Sequence, residues 1–399
     1  MLKQILTLII VATPSIFFLN LPEHFETPKY FFICLLLVLG IIFKYKELNK
    51  PLSKNDKMFL LYSFLYLIST IFSSNPNVSF WGVKNHYTGS LIFITFLISF
   101  LIISKSLIKN INLAHILKLI IYSSPIPFLY GYLQLLHKDF IVWSNPPANR
   151  IFSTFGQPNY FGIYVAVVLI SLTILILEKG IYLHLITAFV TFILLLNTLS
   201  LSALTAFIVA LLIYLIKRKK YINKELLIYL LIILITTFIL FGKDILNRTK
   251  VQVIAKTTKK AIITNDTGKI RKILFISSLE QVLNNKKIFF LGSGPETFLI
   301  VYQRAPDLKY TSESHLYFVK PHNFFIEEFF ETGLLGLAFY IWITYKLFKT
   351  LNKNPLATIG ILILLYSFFN WPGPYMYFLL FFTAYYCVIK ENHYLKSKK

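Results

Sequence analysis

Apolar runs long enough to cross a bilayer recur along the chain, at roughly 5–20, 30–43, 57–72, 89–104, 113–136, 160–177, 181–197, 201–216, 226–241, 334–350, 356–370 and 372–389. A soluble fold has no place for that much apolar surface, and only closed backbone hydrogen bonding survives in lipid. With 56% hydrophobic and 14% charged residues, the fold class is an all-α polytopic membrane protein of about twelve transmembrane helices. The connectors alternate in charge. "KYKELNKPLSKNDK" (44–57), "KSLIKN" (105–110), "KRKKYINK" (217–224), "KLFKTLNKN" (346–354) and the tail "KENHYLKSKK" are basic. The loops between them, such as "NLPEHFETPK" (20–29), "SSNPNVSFWGVKNHYTG" (73–89) and "NWPGP" (370–374), are not. By the positive-inside rule both termini are cytoplasmic, and the net charge of +23 largely reports topology. Pro14 interrupts the first apolar stretch and no small-residue cleavage site follows, so it reads as the first span. Cys34 and Cys387 lie in apolar runs and read as small hydrophobes. Phenylalanine and lysine excess read as compositional bias.

Three divisions follow: residues 1–241 with spans one to nine, a long loop at 242–333 on the outer face, and residues 334–399 with the last three spans and a cytoplasmic tail. The loop carries many cations, among them Lys243, Arg248, Lys256, Lys260, Arg271, Arg304 and Lys320. They suit an anionic partner, or anionic lipid headgroups beside a solvated loop. Arginine is scarce, and of Arg150, Arg218, Arg248, Arg271 and Arg304 only Arg218 is expected inside. The planar guanidinium binds phosphate bidentately, which lysine does not. No internal repeat suggests the inverted halves of a transporter.

Four stretches bear polar groups at the outer boundary. "NRIFSTFGQPNYFGIYVAVVL" (149–169) runs from a Gly/Pro turn into a span. It reads either as a turn with Asn159 as helix cap, or as a helix N-terminus offering Arg150 to an anion. "FFLGSGPETF" (289–298) has a Gly292-Ser293-Gly294 turn that cradles a phosphate or folds the loop back on the membrane. "GVKNHYTG" places Lys84 and His86 on an outer loop. In "SHLYFVKPHNFFIEEFFETGLLG", Asn323 caps a helix that becomes a span. His322 stands at its N-terminus, where the dipole disfavours imidazolium. Glu327 and Glu331 are four apart and share one face, and Gly333 and Gly336 permit a bend.

"PHNFFIEEFFETGLLGLAFY" resembles the most characteristic motif of the O-antigen ligase family, a His-Asn pair followed by an acidic residue and Gly-x-x-Gly-Leu. That family also takes in O-antigen polymerases and pilin-type protein O-glycosyltransferases. "YGYLQLLHKDFIVWSNPPANRIFSTFGQPNYFGIYV" (130–165) is similar to its Arg…Gly-Asn-Pro-Asn region, with Gln157 in place of the first Asn. "GKIRKILFISSLEQVLNNKKIFFLGSGPETFLIVY" (268–302) is similar to a stretch with an Arg and a Gly-x-Gly-x-x-x-Phe turn. Two positions depart: Leu201 in "TLSLSALTA" and His86 both stand where the family often has Arg. Lys84 or His86 substitutes in part.

The resemblance implies a C-type glycosyltransferase-like membrane fold and a multi-pass protein of the cytoplasmic membrane. It implies en bloc transfer of a glycan from undecaprenyl diphosphate to a lipid, glycan or protein hydroxyl, with no metal, no nucleotide cofactor and no nucleic acid. By position His322 is the catalytic base and Glu331 its acidic companion. Arg271 and Arg150 match the arginines on the diphosphate, with Asn323, Asn159, Lys84, His86, Gly292 and Gly294 as further substrate-binding residues. Inversion at the sugar follows from a single displacement. The rivals are a polymerase with the same donor chemistry, a lipid-linked sugar flippase, and a metal-dependent oligosaccharyltransferase using Glu23, His24 and Glu26. The flippase would require ionisable residues in mid-span, where this chain has almost none.

Overall fold

The computed structural model describes residues 2–44, 52–83, 88–107, 112–143, 147, 150–181, 183–241, 267–303 and 320–396. Lys84 and His86 lie outside the described residues, as do the loop cations of 242–266 and 304–319, Arg248 and Arg304 included. The described residues contain helices and no strand. In chain order the helices are α1 (Leu2–Ala12), α2 (Glu26–Lys44), α3 (Lys54–Ile71), α4 (Pro76–Trp81), α5 (Ser90–Leu107) and α6 (Leu113–Tyr122). Then come α7 (Pro125–Leu135), α8 (Pro158–Lys179), α9 (His184–Asn197), α10 (Leu201–Arg218) and α11 (Lys224–Phe241). After the long connection follow α12 (Thr267–Asn284), α13 (Lys286–Leu291), α14 (Phe298–Val301), α15 (Phe324–Thr350), α16 (Ala357–Ser367) and α17 (Pro374–Lys396).

By length and composition four segments can cross a membrane: Glu26–Phe43, Leu113–Leu135, Pro158–Lys179 and Leu201–Arg218. Shorter apolar helices accompany them at Leu2–Ser15, Ser90–Ile102, His184–Asn197, Leu227–Ile239 and Ala357–Ser367. The chain is a multi-pass membrane protein.

α8 is apolar on every side, and nearly all of it is buried. A helix of that kind belongs in the middle of a bundle, and α6, α9, α10 and α16 pack around it. α16 is likewise buried, wedged between α10, α15 and α17. The phenylalanine excess has a packing use. Phe59, Phe96, Phe100, Phe339 and Phe381 interleave between α3, α5, α15 and α17, and Tyr62 stacks on Phe339 at 4.1 Å. Cys34 and Cys387 are buried free thiols. Where α8 and α10 end, Arg218 pairs with Glu178 at 2.9 Å and also donates to the Asn352 carbonyl. Both side chains are buried, so removing one partner strands a charge and costs about 3–5 kcal/mol.

α15 is two helices joined at a kink. Gly333 has φ 74° and ψ −170°, a conformation open to glycine and strained for other residues. A β-carbon there would stand 2.5 Å from the Phe290 carbonyl oxygen. The bend expected from the two glycines is therefore at Gly333. It turns the acidic segment 324–332 away from the apolar run that follows and brings it against α12 to α14. A small second core of Val282, Ile288, Phe298, Phe329 and Phe330 seals that contact.

Candidate functional site

The site lies where the start of α15, the C-terminal end of α16 and α12 meet. Asn323 builds its first part. Its carboxamide oxygen accepts the Ile326 N–H at 3.0 Å, an N-cap as the sequence predicts. Its amide nitrogen donates to the Phe368 carbonyl at 3.0 Å. One side chain thus starts α15 and pins it to the end of α16. His322, one residue earlier, has φ 55°. Left-handed backbone is uncommon outside glycine and costs of order 1–3 kcal/mol where the surroundings impose it, a pattern that clusters at functional sites. The imidazole is half-buried.

His322 is neutral for a different reason from the helix dipole. Burial first, and then the nearby Arg271 charge, together push its pKa down to about 4. Arg271 comes from α12 and donates through Nη2 to Asn370 Oδ1 at 3.1 Å. Asn370 in turn donates to Ser202 Oγ at 2.7 Å. This chain of bonds orients the guanidinium from α10, beside Leu201. Leu201 itself is exposed and supplies no charge. Burial lowers the Arg271 pKa, yet the guanidinium remains cationic.

Arg150 approaches from the other side. Its Nε donates to the Thr198 carbonyl and its Nη2 to Asn159 Oδ1, both at 2.9 Å. Asn159 is therefore a partner of Arg150, not the helix cap; Gln157 occupies the N-cap position of α8. The phenol of Tyr366 lies within electrostatic reach of both Arg150 and Arg271. Its hydroxyl is buried with no hydrogen-bond partner among the described residues. Two guanidinium groups thus lie within electrostatic reach of one unspent donor, a grouping that suits a multiply charged anion.

The Gly-Ser-Gly turn sits deeper. The N–H groups of Gly292, Ser293 and Gly294 go to the carbonyls of Ile288, Phe330 and Glu331. A β-carbon on Gly292 would stand 2.1 Å from the Glu331 carbonyl oxygen, and one on Gly294 would stand 2.1 Å from Ser73 Oγ. The turn clamps the kinked helix against the 73–79 loop. With those N–H groups engaged, it offers none of the three to a phosphate.

Glu331 forms no hydrogen bond or ion pair with His322 among the described residues. It lies with Glu296, Glu327, Glu328 and Lys320 around a separate cavity. Lys320 bonds Glu327 and stands 3.6 Å from Glu296. Burial alone would lower the Lys320 pKa, but these carboxylates and Glu331 hold it well above the ordinary lysine range. Its ammonium also covers the Trp371 ring at 4.8 Å. Trp371 follows Asn370 directly, so the Arg271 region and the carboxylate cavity share a wall. In the loop before α2 the Glu23 carboxylate accepts the N–H groups of Phe25, Glu26 and Thr27 and caps that helix start.

The sequence reading missed Asn370, Ser202, Tyr366 and Trp371 as site residues. "NWPGP" shows an Asn-Trp pair in the connection between α16 and α17, which is a usable signal. The hydroxyls of Ser202 and Tyr366, embedded in apolar runs, carry no comparable one.

A family model described as O-antigen ligase matches residues 186–341. No curated protein matches the chain. The matched stretch contains Ser202, Arg271, the Gly-Ser-Gly turn, Lys320, His322 and Glu331, while Arg150 and Asn159 precede it. Residues 186–341, under half of the chain, are thus similar to the O-antigen ligase family.

Proposed function

We propose that this protein moves a glycan en bloc from undecaprenyl diphosphate to an acceptor hydroxyl at the outer face of the inner membrane. The observation that carries the reading is a neutral histidine, His322, within electrostatic reach of a half-buried, oriented arginine, Arg271, in a stretch that matches the O-antigen ligase family model. The acceptor oxygen attacks the anomeric carbon. The bond from that carbon to the diphosphate oxygen breaks, its electron pair leaves with the diphosphate, and the acceptor proton passes to the His322 imidazole. One displacement inverts the sugar. Arg271 and Arg150 stabilise charge as it grows on the leaving group. Diphosphate beside Arg271 also offsets the positive charge that lowers the His322 pKa, so the bound donor strengthens its own base. Lys84 and His86, outside the described residues, are further candidates for the diphosphate. No step calls for a metal or a nucleotide.

The direct test is purified protein in lipid with an undecaprenyl-diphosphate oligosaccharide and a hydroxyl acceptor. The expected result is glycosylated acceptor with equimolar undecaprenyl diphosphate released. Donor that stays intact with every hydroxyl acceptor rejects the reading. In cells, a deletion strain that retains transfer and loses only chain length assigns the chain to the polymerases.

The arrangement also requires the site to face outward. We place it in a C-type glycosyltransferase-like fold of twelve spans, with 242–333 outside and 217–224 inside, because the basic connectors alternate. Single cysteines near positions 260 and 220 report this with an impermeant thiol reagent, since Cys34 and Cys387 are buried. Labelling is expected at 260 in intact cells and at 220 only after permeabilisation. The opposite pattern inverts the site and defeats the proposed reaction.

A further inference from the structure

His322 is held through its neighbours on both sides, and both holds end on the connection between α16 and α17. On the C-terminal side Asn323 Nδ2 donates to the Phe368 carbonyl at 3.0 Å, and the Phe325 ring stacks on Phe368 at 4.5 Å. On the N-terminal side Lys320 lays its ammonium over the Trp371 ring at 4.8 Å. Trp371 is fixed in turn, because its Nε1 donates to the Tyr377 hydroxyl at 3.0 Å. Between these two contacts Asn370 Oδ1 accepts from Arg271 Nη2 at 3.1 Å. Residues 368–371 therefore hold the His322 segment at both ends and Arg271 in the middle.

Lys320 does more than rest on a ring. It bonds Glu327 Oε1 and stands 3.6 Å from Glu296 Oε1. Glu327 belongs to the first turn of α15. Glu296 follows the Gly-Ser-Gly turn, and Thr88 donates to its same Oε1 at 3.3 Å. Two carboxylates and an aromatic face, on three separate segments, thus fix one ammonium. Pro321, whose ring locks its own φ, carries that fixing to His322. Left-handed backbone such as the φ of 55° at His322 persists only where the surroundings over-determine it, and fastenings on either side do so here. We propose that Lys320, resting on Trp371, is a positioning residue that sets the His322 imidazole relative to Arg271, with the 368–371 connection as their common template. This role rests on the transferase reading and deepens it, since Lys320 touches no reacting atom and acts only through His322. A lysine among buried carboxylates also neutralises them, a role that needs no link to His322, and substitutions tell the two apart.

Full-length protein in lipid is compared as wild type, Lys320→Met, Lys320→Arg and the double variant Lys320→Met/Glu327→Gln. The double variant removes one positive and one negative charge, so it keeps the local net charge and loses the tether. Transfer kinetics are measured. Separately, His322 is titrated by NMR of isotope-labelled histidine without donor, its resonance identified by its loss in His322→Ala. Lys320→Met is expected to lower kcat about tenfold or more, since displacing a reacting group by about 1 Å can cost 10²-fold. The Kd for undecaprenyl diphosphate is expected to stay unchanged. The His322 pKa is expected to rise from about 4 to about 5 or higher, as water reaches the loosened ring and Arg271 is no longer held near it. Lys320→Arg, which keeps the charge and the donors, is expected to match wild type in both readings. In the double variant both defects are expected to persist. Should Lys320→Met fail to fold, Trp371→Leu carries the same expectation, because it removes the ring and leaves Asn370 in place. A wild-type kcat or an unchanged His322 titration in Lys320→Met overturns the positioning role. Recovery of both in the double variant overturns it as well and reduces Lys320 to charge neutralisation. Wild-type protein that transfers no glycan overturns the transferase reading instead, while the titration still decides whether Lys320 holds His322.

Discussion

His322→Ala is expected to express and insert normally, to bind the lipid-linked donor, and to lose about 10²-fold or more of transfer, the contribution of a positioned general base. The side chain is half-buried at the N′ position of α15, and Asn323 makes both bonds that hold the helix start. Removing the imidazole therefore leaves the fold's local fastenings in place. The pH dependence gives an independent reading. Donor-free His322 has its pKa lowered to about 4 by burial and by Arg271. The base is then neutral and competent above that value and is lost as pH falls through it. The acid limb of kcat/KM should lie near pH 4, well below that of an ordinary imidazole. In the donor complex the diphosphate offsets Arg271, so the acid limb of kcat should move to higher pH. Both limbs should vanish from the residual activity of His322→Ala. A purified variant that transfers within about threefold of wild type removes His322 as the base. A variant that loses donor binding as well reassigns it to substrate positioning.

Arg271→Lys is expected to lower kcat by about 10²-fold, comparable to removing one preorganised donor to developing negative charge. Arg271 Nη2 is engaged with Asn370, so its fork has one arm for orientation and others for the diphosphate. A lysine keeps the charge but cannot hold Asn370 and two phosphate oxygens at fixed angles. Two companion variants separate charge from orientation. Asn370→Ala should lower kcat less than Arg271→Lys, because the guanidinium remains while its orientation loosens. Arg304→Lys, in a position without the family motif, should behave as wild type. Wild-type transfer by purified Arg271→Lys rejects the diphosphate role.

Several features of this chain were legible without coordinates because they follow from local rules. The apolar runs, the cap at Asn323, the common face of Glu327 and Glu331, and a bend among Gly333 and Gly336 depend on spacing and side-chain chemistry over a few residues. The ordered motifs around Arg271 and His322 likewise pointed to the family found over residues 186–341. Other assignments had the right residue and a different physical role. Asn159 belongs to Arg150, and the Gly-Ser-Gly turn fastens a kinked helix. For the turn the deciding partners lie outside the motif, in the 73–79 loop and at Glu331, while Arg150 shares a stretch with Asn159 and only the folded loop shows that the two meet. Spacing along one segment cannot reveal a partner on another.

The sequence by itself determined that this chain is a helical membrane protein with its chemistry gathered at a few polar boundaries, because hydrocarbon excludes other backbones and isolated charge. Only the tertiary structure decided which boundary groups meet. The kink at Gly333 folds the acidic segment onto α12 and α13, and Asn370 reaches from the end of α16 to set Arg271 beside His322. The neutrality of that histidine is likewise tertiary. Local helix electrostatics predict its direction, but its size comes from burial and from an arginine 51 residues away in the chain.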